Sequence, residues 1–313
     1  MTQPYHDPYW PRANAWLTRE GTAPKVGLQR GLLKVLGIPV TLGSITPSSC
    51  DLAPQAIRQA LSRFSTYDLN HERDLLNLKV EDLGDLPLAK TSVADAKDPI
   101  VAAVREALKD ATAALVILGG DNSLTRPACL GMEPQIKDCG LLTLDAHLDL
   151  RHLENGLLNG NPVRALLEDG LPGTNIVQIG LQSFSNSAAY HQIAKDAGIT
   201  VVPVESIAAK GIENVVRRAL EMLADRCKSI YVDLDLDVMD RVFAPSPGGS
   251  RPGGITPLQL RNAAYECGLH PKVRVVDIVE LDPTRDVNDV TALAAASCLL
   301  SFASGVLGRQ ETI

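Results

Sequence analysis

The chain has 313 residues, 45% hydrophobic and 21% charged, with 37 acidic against 30 basic side chains and a formal charge of −7. The length suits one large α/β domain that needs no disulfide staples, and the acidic balance argues against a nucleic-acid or polyanion partner. Six scattered cysteines with no CxxC pair point to reduced thiols in a cytoplasmic protein, and no apolar run reads as long enough to span a membrane.

Residues 1–30, rich in Pro, Tyr, Trp and charge, read as an N-terminal extension without the apolar core of a signal peptide. From residue 31 to 313 short apolar runs alternate with amphipathic stretches. Leu32–Val35 is an apolar run, and Pro54–Phe64 spaces Ala56, Ile57, Leu61 and Phe64 on one helical face. Pro99–Leu108 predicts a second helix. Ala113–Leu118 predicts a buried strand running into Gly119 and Gly120. Further strands are expected at Gly140–Leu144, Asn175–Ile179, Ile199–Val204, Ser229–Leu234 and Val273–Val279. Helices are expected at Glu213–Asp225, Thr256–Tyr265 and Thr291–Ser304. Wholly apolar strands separated by helices predict a three-layer α/β/α domain around a mainly parallel sheet.

The ends of these strands carry acids. Gly140–Leu144 runs into Asp145-Ala146-His147-Leu148-Asp149, Ser229–Leu234 into Asp235-Leu236-Asp237, and Val273–Val279 ends at Glu280. A fourth strand runs into Gly119-Gly120-Asp121-Asn122-Ser123. The carboxyl ends of parallel strands line one crevice, and alternate side chains of an extended segment point the same way. Gathered carboxylates repel one another unless a cation lies among them. Carboxylates with one imidazole and no thiolate favour a hard or borderline ion, Mn²⁺ ahead of Mg²⁺ or Zn²⁺. Two ions sharing carboxylates activate a water at neutral pH. Taken singly, each acid has a plainer use, as a helix cap or a solvated strand end.

At these residues the chain resembles the ureohydrolase family of arginases, agmatinases and formimidoylglutamases. The motifs are Gly119-Gly120-Asp121-Asn122-Ser123, Asp145-Ala146-His147-Leu148-Asp149, Asp233-Leu234-Asp235-Leu236-Asp237 and Glu280-Leu281-Asp282-Pro283. The resemblance implies an arginase-like fold, two Mn²⁺ ions and a homo-oligomer, a trimer or hexamer. It implies Asn122, Asp145, His147, Asp149, Asp235 and Asp237 as metal ligands, with Asp145 and Asp235 bridging. Glu280 would grip the cationic amidinium of the substrate, and Asp149 would serve in catalysis.

The chain departs from the family pattern at three positions. Asn122 stands where a histidine normally ligates the first metal. An amide oxygen is the weaker donor, so that site is expected to be weak or empty; alternatively Asn122 only hydrogen-bonds within its loop. Asn159 stands where arginases carry a proton-shuttling histidine, and Asp233 where the family often has serine.

Other stretches resemble formimidoylglutamases: Asn159-Gly160-Asn161-Pro162-Val163-Arg164, the Ser185-Asn186 pair, and Pro247 to Gly254. They imply hydrolysis of N-formimidoyl-L-glutamate to glutamate and formamide. Asn159, Asn161, Arg164, Ser185 and Asn186 are the candidate substrate contacts. Arg164 either pairs with a substrate carboxylate or with Glu168 on its own helix. Ser185 and Asn186 either contact substrate or cap the helix starting near Ser187. Two other functions stay open: a guanidine hydrolase of the agmatinase or guanidinobutyrase kind releasing urea, and an inactive regulatory subunit.

Overall fold

The computed structural model describes residue 7, residues 9–18 and residues 31–309. The described elements begin with α1 (Ala13–Thr18), β1 (Leu32–Ile38), α2 (Ala53–Ala60), a small hairpin of β2 (Tyr67–Asp68) and β3 (Arg73–Asp74), and β4 (Lys79–Asp85). Then come α3 (Val93–Ala107), β5 (Ala113–Gly119), α4 (Thr125–Met132), β6 (Cys139–Leu144), α5 (Pro162–Glu168), β7 (Ile176–Leu181), α6 (Ala188–Ala197) and β8 (Thr200–Pro203). The chain continues through α7 (Val204–Lys210), α8 (Ile212–Ala224), β9 (Ser229–Asp235), α9 (Pro257–Leu269), β10 (Val273–Val279) and α10 (Val290–Gly308).

Eight strands form one sheet in the order β4-β1-β5-β10-β9-β6-β7-β8, and every pairing in it is parallel. The expected three-layer α/β/α architecture is what the structure shows. One core holds Ile57 of α2, Val216 and Leu220 of α8, Leu260 of α9 and Phe302 of α10 against alternate residues of the strands, such as Val232 and Leu234. The opposite face packs Ile100 and Val104 of α3, Ala128 of α4, Leu166 of α5 and Ala194 of α6 against Leu141, Tyr231 and Val275. β5, β6, β7 and β9 are buried along their whole length, which is why they read as mostly apolar runs, interrupted inside by Gln178 and Asp233.

The N-terminal extension is in part built into the domain. Ala13, Trp16 and Leu17 are buried in the first core, and the Trp16 indole donates to the Leu78 carbonyl at 3.4 Å. The extension's residues 19–30 lie outside the described residues.

Two sequence expectations change. Val93–Ala107 is one helix with Pro99 inside it, whereas the proline reads in sequence as a helix start. The true start is Ser92, whose hydroxyl caps Asp95 N–H at 3.2 Å. Val290–Gly308 is, by length and hydropathy, long and apolar enough to cross a bilayer, contrary to the sequence expectation. It is instead 72% buried inside the protein, as the central helix of a large core.

Candidate metal centre

β5, β10, β9 and β6 are adjacent in the middle of the sheet, so the residues that follow them share one rim. Asp145 Oδ1 accepts the backbone N–H of His147 at 2.6 Å, and Asp235 Oδ1 accepts that of Asp237 at 2.8 Å. The same short side-chain turn therefore follows β6 and closes β9. It brings His147 Nδ1 within 2.9 Å of Asp237 Oδ2 and 3.4 Å of Asp145 Oδ1. Asp145, His147 and Asp237 each offer a ligand atom, all within 4.8 Å of one another. Gly249 closes over this group. A Cβ there would lie 1.9 Å from Asp237 Oδ2, so only glycine fits.

Asp149 and Glu280 both have left-handed backbones, with φ of 51° and 70°. Such a conformation is uncommon outside glycine, and it gathers at functional positions. Glu280 is 7% exposed. Its Oε1 accepts the Asn122 backbone N–H at 2.8 Å and the Asn159 side-chain amide at 3.0 Å. Oε2 has no protein partner among the described residues and faces the crevice.

The electrostatics are those of acids crowded together out of water. Burial, then Asp237, pushes Asp145 up to about 6. Burial and neighbouring carboxylates push Asp149 and Asp235 well above the usual carboxylate range. Glu280 is raised to about 8, by burial first and Asp121 second. Burial would raise Asp237 as well, yet its ion pair with His147 holds it below the usual value. The Asp237 charge in turn lifts His147 to about 12. The imidazolium proton thus occupies the place among the oxygens that a divalent cation would take, and cation binding would release it. Carboxylate oxygens around one imidazole suit a hard or borderline metal.

Asn122 supplies a second test of fit. Its Nδ2 donates to Asp149 Oδ2 at 2.7 Å, and its Oδ1 lies 2.6 Å from Thr125 Oγ1. The same hydroxyl lies 2.9 Å from Asp277 Oδ2. One hydroxyl proton cannot serve both acceptors. Exchanging the amide oxygen and nitrogen resolves the conflict. Nδ2 then donates to Thr125, Thr125 donates to Asp277, and the amide oxygen turns toward Asp149, a contact that either a cation between them or a proton on the buried Asp149 carboxyl satisfies. The residues present fit a metal.

Behind the rim lies a second acid pair. Asp233 and Asp277 are opposite each other in register on β9 and β10, and both are fully enclosed. Asp277 accepts from Tyr231 Oη at 2.5 Å. The Oδ1 atoms of both acids find no donor elsewhere, so a proton shared between the two carboxyls satisfies them. Burial and then Asp277 push Asp233 well up; Asp277, raised to about 6 by burial, is held there by hydrogen bonds from Tyr231, Thr125 and Asp233.

The crevice has a volume of about 520 Å³. His147, Asp149, Asn159, Ser185, Asn186, Asp235, Asp237 and Glu280 line it; Asn161 and Arg164 do not. Arg164 pairs with Glu168 at 3.0 Å on α5, the second of the two uses expected for it, and does not line the crevice. Asn161 is buried and spends its side chain on its own loop, taking Leu158 N–H at 2.8 Å and giving to the Gly156 carbonyl at 2.9 Å. Asn186 likewise grips the backbone that carries His147, accepting from Leu148 N–H at 2.8 Å and donating to the Ala146 carbonyl at 2.9 Å. The cap of α6 is Ser187, which leaves the Ser185 hydroxyl facing the crevice. Sequence reasoning missed Arg151, Arg285 and the Ile45–Ser48 loop, all lining residues. Arg151 lies two residues beyond Asp149, and that spacing was a usable signal.

Comparison with known proteins gives the same picture. The family model described as "Arginase family" matches residues 33–304. The chain belongs to the arginase family. Among its relatives in that family it is 35% identical to a formimidoylglutamase of Halalkalibacterium halodurans, over 87% of this chain and 86% of the other. It is 32% identical to a formimidoylglutamase of Bacillus subtilis, with the same two coverages. The crystal structure of formimidoylglutamase from Bacillus subtilis superposes with a TM-score of 0.89 at 29% identity, covering 97% of this chain and 94% of that one. The arginase-family fold therefore extends over essentially the whole described chain.

Proposed function

We propose that this arginase-family protein hydrolyses N-formimidoyl-L-glutamate to L-glutamate and formamide, using two Mn²⁺ ions. Asn122, Asp145, Asp149 and Asp235 would hold one ion. Asp145, His147, Asp235 and Asp237 would hold the other. When bound, the ions supply Lewis acidity and lower the pKa of a water. The relatives' names support the substrate. The observation that carries the reading is the split charge of the crevice: an acidic floor ending at Glu280, and arginines 151, 251 and 285 in its wall. That split matches a substrate with one amidinium and two carboxylates. Agmatine, cationic at both ends, would meet those arginines unfavourably.

In this reading Glu280 Oε2 takes an N–H of the amidinium and fixes the formimidoyl carbon above the acids. Asn122 N–H and the Asn159 amide hold Oε1, so the carboxylate is oriented before substrate enters. Water adds to the formimidoyl carbon, and the bond to the glutamate nitrogen breaks. Asp149 delivers the proton that the departing nitrogen needs, because Asn159 cannot shuttle one. We place the enzyme in the cytoplasm, since all six cysteines are free and buried. We also propose a homo-oligomer, trimer or hexamer, supported by exposed Tyr67, Leu69 and Leu258 around a groove on the α9–α10 side. The test is a substrate panel with added Mn²⁺, scored for formamide, urea and ammonia. Formamide and glutamate in equal amounts support the proposal; urea from a guanidine, with no formamide, overturns it.

A further inference from the structure

Arg164 faces away, so the crevice wall must supply any carboxylate reader, and it contains three arginines. Two are already employed. Arg285 donates to the Pro47 carbonyl and pairs with Asp282 at 3.3 Å. Arg251 gives Nη1 to the carbonyls of Gly248, Gly249 and Ser250 at 3.3, 2.8 and 3.1 Å, which ties down the loop over the metal ligands. Arg151 differs from both. Its guanidinium makes no hydrogen bond or ion pair among the described residues, although its backbone N–H is fixed to the Gly160 carbonyl at 3.1 Å.

The residue is exposed at the crevice wall, yet its stem is seated. It lies across Gly160, where a Cβ would come within 2.8 Å of Arg151 Cδ and 3.0 Å of Nε. Glycine at 160 therefore makes room for the arginine, and the turn that presents Asn159 to Glu280 also supports the Arg151 stem. A guanidinium with its stem held and its donors unspent loses less side-chain freedom on pairing with a carboxylate.

We propose that Arg151 is the specificity-determining residue that pairs with a carboxylate of the substrate. It sits two residues beyond Asp149, so the segment that shapes the reactive floor also sets the distance to the substrate's anionic end. This inference rests on the proposed amidine hydrolysis for the identity of the substrate, but needs only that the substrate carry a carboxylate.

The experiment compares Arg151→Gln and Arg151→Lys with the parent, with bound Mn²⁺ and melting temperature checked for each. Substrates are N-formimidoyl-L-glutamate and formamidine, the latter without a carboxylate. Arg151→Gln should raise KM for the dicarboxylate roughly ten- to a hundredfold, the range for losing a hydrogen bond to a charged group. Its kcat should fall far less, its loss on formamidine should be at least tenfold smaller, and Arg151→Lys should fall between parent and Arg151→Gln. Equal losses on both substrates, or an unchanged KM for the dicarboxylate, would overturn the assignment. If the parent instead releases urea from a guanidino acid, the substrate reading fails but the same variants on that acid against plain guanidine still decide the role of Arg151. A parent that accepts only carboxylate-free substrates overturns both.

Discussion

Two groups of buried acids lie close together, and they meet the same repulsion differently. Asp233 and Asp277 sit inside the sheet, where Tyr231 and Thr125 reach Asp277 with hydroxyls and the carboxyls share a proton. Asp145, Asp149, Asp235, Asp237 and Glu280 sit at the rim, where His147 is the single cationic partner among the described contacts of that group. The inner pair is complete within the chain. The rim cluster is a set of donors waiting for charge from outside. Depth in the sheet separates structural acids from acids built for a ligand, even where the residue types are identical.

That contrast can be broken at either end. Asp235→Ala should strip metal and lower turnover by at least about a hundredfold, the larger end of what loss of even an outer partner costs a metal site. Its melting temperature without added metal should not fall, because a repelled carboxylate has gone. Near-normal Mn²⁺ content and turnover would show the rim cluster to be misassigned. Asn122→His replaces the weaker donor with an imidazole and should tighten the first metal site roughly tenfold. Calorimetric titration reads this directly, and identical isotherms with two tight sites in the parent would mean that the amide costs nothing.

Tyr231→Phe should act in the opposite sense to Asp235→Ala. It removes a donor to buried Asp277 and should cost about 1–3 kcal/mol of stability, while bound metal per folded chain stays at the parent level. A loss of metal in step with stability would join the two clusters into one functional unit. Arg164→Ala should be the mildest change, at most about 0.5 kcal/mol for an exposed helical pair, with KM within about twofold of the parent. A KM rise matching that of Arg151→Gln would mean that α5 turns inward when substrate binds.

The sheet centre was readable because its strands are buried on both faces, and the rim acids were readable because each follows such a strand. β4 was not, since only Val80 of Lys79–Asp85 is buried and an edge strand leaves little apolar signal. α7 hid for a similar reason, with Ile207 its single buried residue. Asp277 lies within the apolar run Val273–Val279, and nothing local distinguishes it until Asp233 is seen beside it. The choice between Arg151 and Arg164 depended on which way each side chain leaves its segment, and pattern alone does not hold that information. Asn161 and Asn186 were expected to contact substrate or to serve only turn and cap chemistry, and the structure spends both side chains on the backbone around the crevice.

The left-handed backbones at Asp149 and Glu280 carry a consequence for how this protein can change. Each side chain is held where glycine or asparagine would rest more easily, at a cost of about 1–3 kcal/mol per strained residue. Replacing either acid by glycine or asparagine would relieve both that strain and the crowding of like charge. Random variation screened for heat resistance alone should therefore drift toward a sturdier, silent protein, losing these two acids early. Only selection on turnover keeps them in place.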